Sequence, residues 1–254
     1  MKIVVLVKQV PDTGEERILD ASTGLVDRDA NDPVIDEISE RALEAALSVK
    51  DRDKSTEVVV LSMGPSDASK AIRKALSMGA DSGIHILDDG LLGADATLTA
   101  QVLAAALRNA DADLVITGNE STDGRGGVVP AMIAEHLNLP LMGSLTTVNI
   151  GSASISGQRR NDEGTQDVSA DLPAIISVTE GFAEARFPNF KGIMGAKRKP
   201  VSTLAAAELG VNIAARTKIS SVETRAPRSA GSTIIDEGQA AAQLVDFLTT
   251  NRLI

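Results

Sequence analysis

The sequence contains no cysteine, tryptophan or tyrosine, only four phenylalanines and two histidines. Without cysteine there is no disulfide, no Cys-ligated iron–sulfur cluster, no thiolate zinc site and no cysteine nucleophile. The two imidazoles, His85 and His136, are far apart in the chain, which excludes a multi-histidine metal site. No apolar run exceeds about six residues, against the roughly 18–20 that a membrane span needs. The N-terminal run Met1 to Val7 is interrupted by Lys8 and carries no signal-peptide cleavage pattern, so a soluble cytoplasmic protein is expected. Basic charge is also in deficit: 25 Lys and Arg stand against 35 Asp and Glu, a formal charge of −10 in 254 residues. That balance argues against general nucleic-acid binding, which needs a basic footprint.

What is present reads as an α/β protein. Ile3–Val7, Val58–Leu61, Ile84–Leu87 and Asp113–Thr117 have strand length and apolar character. Between and after them come stretches of helical period: from Ile35 to about Val49, from Ala68 to a C-cap at Gly79, from Asp95 or Thr97 to about Asn109, and Val128–Leu137. Asp12 to Asp32 is loop-like. Four strand–helix alternations predict a parallel sheet with helices on both faces. After Pro140 the pattern changes to short strands, Thr146–Ile150, Ala153–Gly157 and Ala174–Val178, with no helix between the first two. An antiparallel edge of the same sheet suits them. Gly181 to Pro200 shows no clean period and reads as an unusually long loop, a length at which loops tend to be functional or disordered. Residues 213–232 read as extended, and Ile234–Leu248 as a final helix.

Two stretches could carry chemistry. The run Gly118-Asn119-Glu120-Ser121-Thr122-Asp123-Gly124-Arg125-Gly126-Gly127 follows a predicted strand and opens a helix. Ligands of open α/β sheets bind outside the carboxyl ends of the strands, and a glycine-rich turn at a helix N-terminus presents backbone N–H groups to phosphate. It matches neither a Walker A sequence nor GxGxxG, and an ordinary tight connection would also use glycine. The second stretch runs from Arg186 to Lys199, with five basic residues and no acid. Three of the four phenylalanines, Phe182, Phe187 and Phe190, lie in or just before it. Apolar anchors in a charged rim fit a protein-docking surface; a solvated charge run with its phenylalanines tucked into the core and a nucleic-acid stacking platform are the alternatives. His85, within an apolar strand, reads as a hydrogen-bonded core or edge histidine, and His136 lies near a helix end. Asp12, Asp32 and Asp36 follow the first strand, as ribose or adenine contacts or simply as caps. No paired-carboxylate spacing or Ser/His/Asp arrangement stands out, so a binding cleft is present without an evident acid, base or nucleophile.

At these motifs the chain resembles an electron-transfer flavoprotein β subunit. The matching stretches are Val4–Val10 with Pro11-Asp12; Asn31-Asp32-Pro33 before an acidic, alanine-rich helix; Met63-Gly64-Pro65; Ala75-Leu76-Ser77-Met78-Gly79-Ala80-Asp81; Asp113–Pro130; and above all Val178–Pro200 with its core Ile193-Met194-Gly195-Ala196-Lys197. The resemblance implies a doubly wound, mostly parallel, Rossmann-like adenine-nucleotide-binding domain over 1–210, including a recognition loop at 181–200. A C-terminal arm and helix, 211–254, would pack on the partner. It implies a heterodimer with an α subunit that holds most of the redox-active FAD. In the common type AMP is buried in the β subunit, and dehydrogenases, acyl-CoA-type and others, reduce the pair, which reduces a membrane quinone oxidoreductase. In the bifurcating type a second FAD takes the AMP site and NADH is oxidised. A stand-alone nucleotide-binding regulator or hydrolase is the remaining reading, disfavoured by the missing Walker lysine. By the same resemblance the nucleotide site draws on Leu6, Asp32, Pro33, Val34, Ile35, Met63, Gly118, Asp123, Gly124, Arg125, Gly126, Gly127, Val128 and Val129. Here Gly127-Val128-Val129-Pro130 replaces a polar Asn-Gln-Thr-Gly, leaving the N–H groups of residues 127–129 and none at Pro130. The docking set is Phe187, Phe190, Lys191, Ile193, Met194, Lys197 and Arg198, with Phe190 where the family places a leucine anchor.

Overall fold

The protein is described by a computed structural model covering residues 1–214, 216–223, 226–227 and 231–254; parts of the stretch 213–232 expected to be extended therefore lie outside the described residues. It divides into two units, Met1–Ser220 and Ser221–Ile254. The first begins with strand β1 (Lys2–Leu6) and a small antiparallel pair, β2 (Gln9–Pro11) with β3 (Pro33–Ile35). Helix α1 (Glu37–Arg52) follows, with acids in its first turn and Lys50 and Arg52 in its last, the arrangement the helix dipole favours. Strand β4 (Glu57–Met63) leads to α2 (Ser69–Met78), which stops at Gly79. Gly79 has φ +146°, and a Cβ there would lie 3.0 Å from Leu47. Then come β5 (Ser82–Ile86), α3 (Ala96–Arg108) capped by Asp95, β6 (Leu114–Gly118) and α4 (Val129–Leu137).

The remaining elements are β7 (Leu141–Ile150), β8 (Ser154–Asn161), β9 (Gly164–Asp171), β10 (Ala174–Val178), α5 (Phe190–Ala196) and β11 (Val201–Leu204). Nine strands form one sheet in the order β11-β5-β4-β1-β6-β10-β7-β8-β9. All neighbours are parallel except β7 with β8 and β8 with β9, so the fold is the expected α/β type with an antiparallel edge. Helices α1 and α2 pack into one buried cluster, α3 and α4 into the other. Strands β1 and β4 are apolar on both faces (Ile3, Val4, Val5, and Val58 to Leu61) because both faces are covered. The chain winds outward from β1 through β4 and β5, and α3 returns it to the opposite side of β1 at β6. Strands β1 and β6, neighbours in register from Ile3↔Leu114 to Val5↔Ile116, thus flank the point where the winding reverses, the place where such sheets bind ligands.

Two expectations are corrected. Residues 181–200 are not a plain loop, since α5 occupies Phe190–Ala196; β9 and β11 are additional strands. The second unit contains α6 (Ala240–Thr250), within which Leu244, Val245 and Phe247 are exposed. Among the described residues no helix is long and apolar enough to cross a membrane.

Candidate functional site

Leu6 ends β1, Met63 ends β4 and Gly118 ends β6, so the parallel register brings all three to one edge of the sheet. Pro33, Val34 and Ile35 form β3, whose pairing with β2 carries them back beside the chain leaving β1. The loop 119–128 joins β6 to α4. Its seat on α1 is tight: a Cβ on Gly118 would lie 2.8 Å from Ile38 and 3.1 Å from the Glu120 carbonyl.

Asp36 fixes this loop to the start of α1. One carboxylate oxygen accepts from the N–H groups of Ile38 (2.9 Å) and Ser39 (3.3 Å), capping the helix. The other accepts from the N–H (2.7 Å) and hydroxyl (2.8 Å) of Thr122. Of the three early acids, Asp36 is therefore a buried cap and loop anchor, while Asp12 folds back onto the Gly14 N–H and Asp32 is exposed.

Asp123 is buried between two cations. Lys8 Nζ lies 2.7 Å and Arg28 Nη2 3.3 Å from its oxygens, with the Asp123 side chain only 3% exposed. Burial opposes ionisation of this carboxyl, but the Lys8 charge and hydrogen bonds from Lys8, Ser121 and the Gly124 N–H outweigh it and lower its pKa from 3.8 to about 2. The stability this pairing contributes is complete above about pH 4 and is lost as pH falls from 3.8 through about 2. Because Lys8 and Arg28 are 40% and 36% exposed, solvent screening reduces it to about 1–2 kcal/mol. Urea unfolding at a series of pH values should show the advantage of wild type over Asp123→Asn shrinking by about that much between pH 5 and 2; a constant difference would contradict the pairing.

Beyond Asp123 the loop is open backbone. Arg125 and Gly127 adopt φ +47° and +64°, and a Cβ on Gly126 would meet nothing within 4 Å. Val128 supplies no side-chain cap to α4, so the first N–H groups of that helix remain free to bind an acceptor. Asn119 Oδ1 is buried and unpartnered among the described residues. This donor-rich backbone with a roomy glycine suits a phosphate-bearing ligand, and the unpaired amide oxygen suits one that also carries hydroxyl or amino donors. Thr122 lies within the run singled out from sequence, but Lys8 and Arg28 do not; the position of Lys8, two residues beyond the end of β1, is the signal that could have found it.

His85 is 3% exposed, and its Nε2 donates to the Gly64 carbonyl at 3.0 Å, the hydrogen-bonded strand histidine expected. His136 sits in the last turn of α4, its carbonyl accepting from Arg108 at 2.6 Å.

The second stretch is anchored at both ends. Arg186 makes a forked pair with Glu44 (2.8 and 2.7 Å) and reaches Asp51 at 2.8 Å; hydrogen bonding to Glu44 raises its pKa further. Asn189 caps α5 through the Gly192 N–H at 2.8 Å. Arg73 donates to the carbonyls of Ala196 (2.8 Å) and Lys199 (2.9 Å), and Lys199 Nζ returns to the end of α2 at the Leu76 carbonyl (2.8 Å). Gly192 permits the close approach of the two helices, since a Cβ there would lie 2.2 Å from the Ser77 carbonyl. On this framework Phe187 and Phe190 are 94% and 80% exposed, and Ile193 and Met194 are about half exposed. The alternative with these phenylalanines in the core is thereby corrected; only Phe182 packs against the core. Lys191, Lys197 and Arg198 are solvent-facing around them. A groove of about 670 Å³ between the end of α2 and α5 is lined by Met78, Phe190 and Met194 among others.

Fold and site together define a doubly wound α/β domain with a glycine-rich loop at its switch point and a braced apolar surface at the far end of α2. Residues 23–209 match the electron transfer flavoprotein domain family. The chain is 46% identical over 263 residues to the electron transfer flavoprotein subunit beta of Mycobacterium leprae, covering 99% of each chain. It is 47% identical over 264 residues to that of Mycobacterium tuberculosis, again covering 99% of each. The caffeyl-CoA reductase–Etf complex subunit CarD of Acetobacterium woodii is 32% identical over 213 residues, 84% of this chain and 81% of that one. The chain belongs to the electron transfer flavoprotein family as a β subunit. Such subunits are electron carriers rather than enzymes in themselves, and membership brings association with a flavin and an α-subunit partner.

Proposed function

We propose that this chain is the AMP-binding β subunit of a heterodimeric carrier that takes electrons from dehydrogenases, acyl-CoA-type and others, and delivers them to a membrane quinone oxidoreductase. The observation that carries the docking half is the pair of exposed phenylalanines, Phe187 and Phe190, on a segment braced by Arg186, Arg73 and Lys199. A fixed apolar anchor ringed by Lys191, Lys197 and Arg198 fits a partner with an apolar pocket and an acidic rim.

The FAD, held mainly by the α subunit, supplies the electron exchange. This chain's residues bind and position. The N–H groups of Gly127, Val128 and Val129 hold the AMP phosphate. Leu6, Asp32 to Ile35 and Met63 line the nucleoside end, Gly118 and Gly124 to Gly126 shape the loop, and Asp36 and Asp123 keep it seated. The arm 211–254 packs on the α subunit, for which the exposed Leu244, Val245 and Phe247 of α6 provide an apolar face.

The test is an absorbance spectrum of the purified chain from about 240 to 550 nm, before and after denaturation. With no Trp and no Tyr the polypeptide is nearly transparent at 280 nm, so a bound nucleotide dominates. The expected result is a 260 nm band without visible absorbance, its absorbing species released on denaturation. A band near 450 nm would mean that this subunit carries a second flavin, and the AMP assignment would fall.

A further inference from the structure

We infer that Arg17 is the side chain that holds the phosphate of the nucleotide bound at the 119–128 loop, an assignment that rests on the nucleotide reading above. Its Nε and Nη2 are covered from solvent and have no hydrogen-bond partner among the described residues. A guanidinium carries five donors and is always charged, and leaving two of its nitrogens covered without an acceptor costs more than leaving neutral donors so. Three carboxylates of its own segment accept from other groups. Glu15 accepts from Asn31 at 2.7 Å, Asp12 from the Gly14 N–H at 2.8 Å and Asp27 from the Asp29 N–H at 3.0 Å.

The backbone places Arg17 beside the site. Residues 12–32 fold back on themselves with Leu19 bridged antiparallel to Val26, and the Asp27 N–H donates to the Ile18 carbonyl at 2.9 Å. One step further, that register brings residue 17 level with residue 28, where the ribbon turns into a bend. Arg28 reaches the loop: its guanidinium donates to the Gln9 carbonyl and to Asp123, each at 3.3 Å. Arg28 is thus occupied with the Asp123 carboxylate, whereas Nε and Nη2 of Arg17, on the other side of the ribbon, have no partner among the described residues and are left to bind an anion.

The unpaired atoms of the 12–32 segment and of the loop select the class of ligand. Besides the Arg17 donors, Asn31 Oδ1, on the same 12–32 segment, and Asn119 Oδ1, at the start of the glycine-rich loop, are buried acceptors without partners among the described residues. A carboxylate or inorganic anion would satisfy the arginine and leave both amide oxygens unpaired. A nucleoside phosphate offers acceptor oxygens to Arg17 and hydroxyl or amino donors to the two asparagines. Arginine rather than lysine fits the task, because its planar fork meets two phosphate oxygens at once.

The experiment is calorimetric titration of the full chain, co-purified with its α subunit and stripped of nucleotide, with AMP and separately with adenosine. Wild type should bind AMP more tightly than adenosine. Arg17→Ala should lose at least about tenfold in AMP affinity while keeping its adenosine affinity, and Arg17→Lys should recover part of the loss. Adenosine binding serves as the control for folding. An unchanged ratio of AMP to adenosine affinity in Arg17→Ala would overturn the assignment, as would an equal fall for both ligands, which would mark a structural role. Wild type binding neither ligand would overturn the nucleotide reading itself.

Discussion

Replacing Phe190 with alanine is expected to weaken docking of an electron-donating dehydrogenase by about 2 kcal/mol or more, a rise in Kd of roughly 30-fold. The side chain is 80% exposed, so the folded chain gains little from it and thermal stability should stay within about 0.5 kcal/mol of wild type. In a complex the ring would be buried in a partner pocket, where full burial of a phenylalanine contributes about 1.5–3 kcal/mol. Preorganisation strengthens the effect. Helix α5 is capped by Asn189 and tied to α2 by Arg73 and Lys199, so docking does not first have to order the segment. The basic rim should behave differently. Lys191→Ala or Lys197→Ala is expected to alter association rate and salt dependence more than dissociation. The measurement is electron transfer from dehydrogenase as a function of carrier concentration, with stability followed in parallel. Wild-type kinetics in a folded Phe190→Ala protein would remove Phe190 from the interface.

The sheet was legible because burial on both faces writes itself as β-branched runs. Ile3 to Val5, Val58 to Leu61 and Leu114 to Ile116 are all buried, and each helix between them carries an apolar stripe and a cap. Strand β9 was not legible. Its sequence Gly164-Thr165-Gln166-Asp167-Val168-Ser169-Ala170-Asp171 is mostly exposed, with only Val168 and Ala170 turned toward the core, too short an alternation to read; it is a strand because β8 pairs with it along its length. Helix α5 was hidden for a related reason. Seven residues with two glycines have no helical propensity to detect, and the helix exists through contacts to α2 that lie 123 residues away in sequence. The site divides in the same way. The strand–glycine–helix order marked Gly118 to Gly127, whereas Lys8 and Arg28 meet Asp123 across separations of 115 and 95 residues. Local order in sequence reports the backbone of the site; the side chains that charge it arrive through tertiary structure.

The second large effect is expected at Asp36, where helix and loop share one carboxylate. Asp36→Ala removes the cap of α1, worth about 1 kcal/mol, and leaves the buried Thr122 N–H and hydroxyl without their acceptor, a further 1–3 kcal/mol. The sum, about 3 kcal/mol, corresponds to a fall in Tm of roughly 6–12 °C for a chain of this size. Asp36→Asn separates the two roles. Its amide oxygen can still accept from Ile38 and Ser39, but its NH₂ group then faces the Thr122 N–H, donor against donor. The helix start should therefore survive while the loop loosens, with about half the loss of stability and a disproportionate loss of bound nucleotide. Thr122→Val should reproduce the nucleotide effect, and the double variant Asp36→Asn, Thr122→Val should be less impaired than the sum, because residues sharing one hydrogen-bonded contact are not additive. Thermal unfolding together with the nucleotide released per chain reads both effects. Full additivity, or an Asp36→Asn protein that keeps its nucleotide, would show that α1 and the glycine-rich loop are seated independently. Coupling would mean that the acid first read as one of three possible ribose contacts governs binding from beneath the loop.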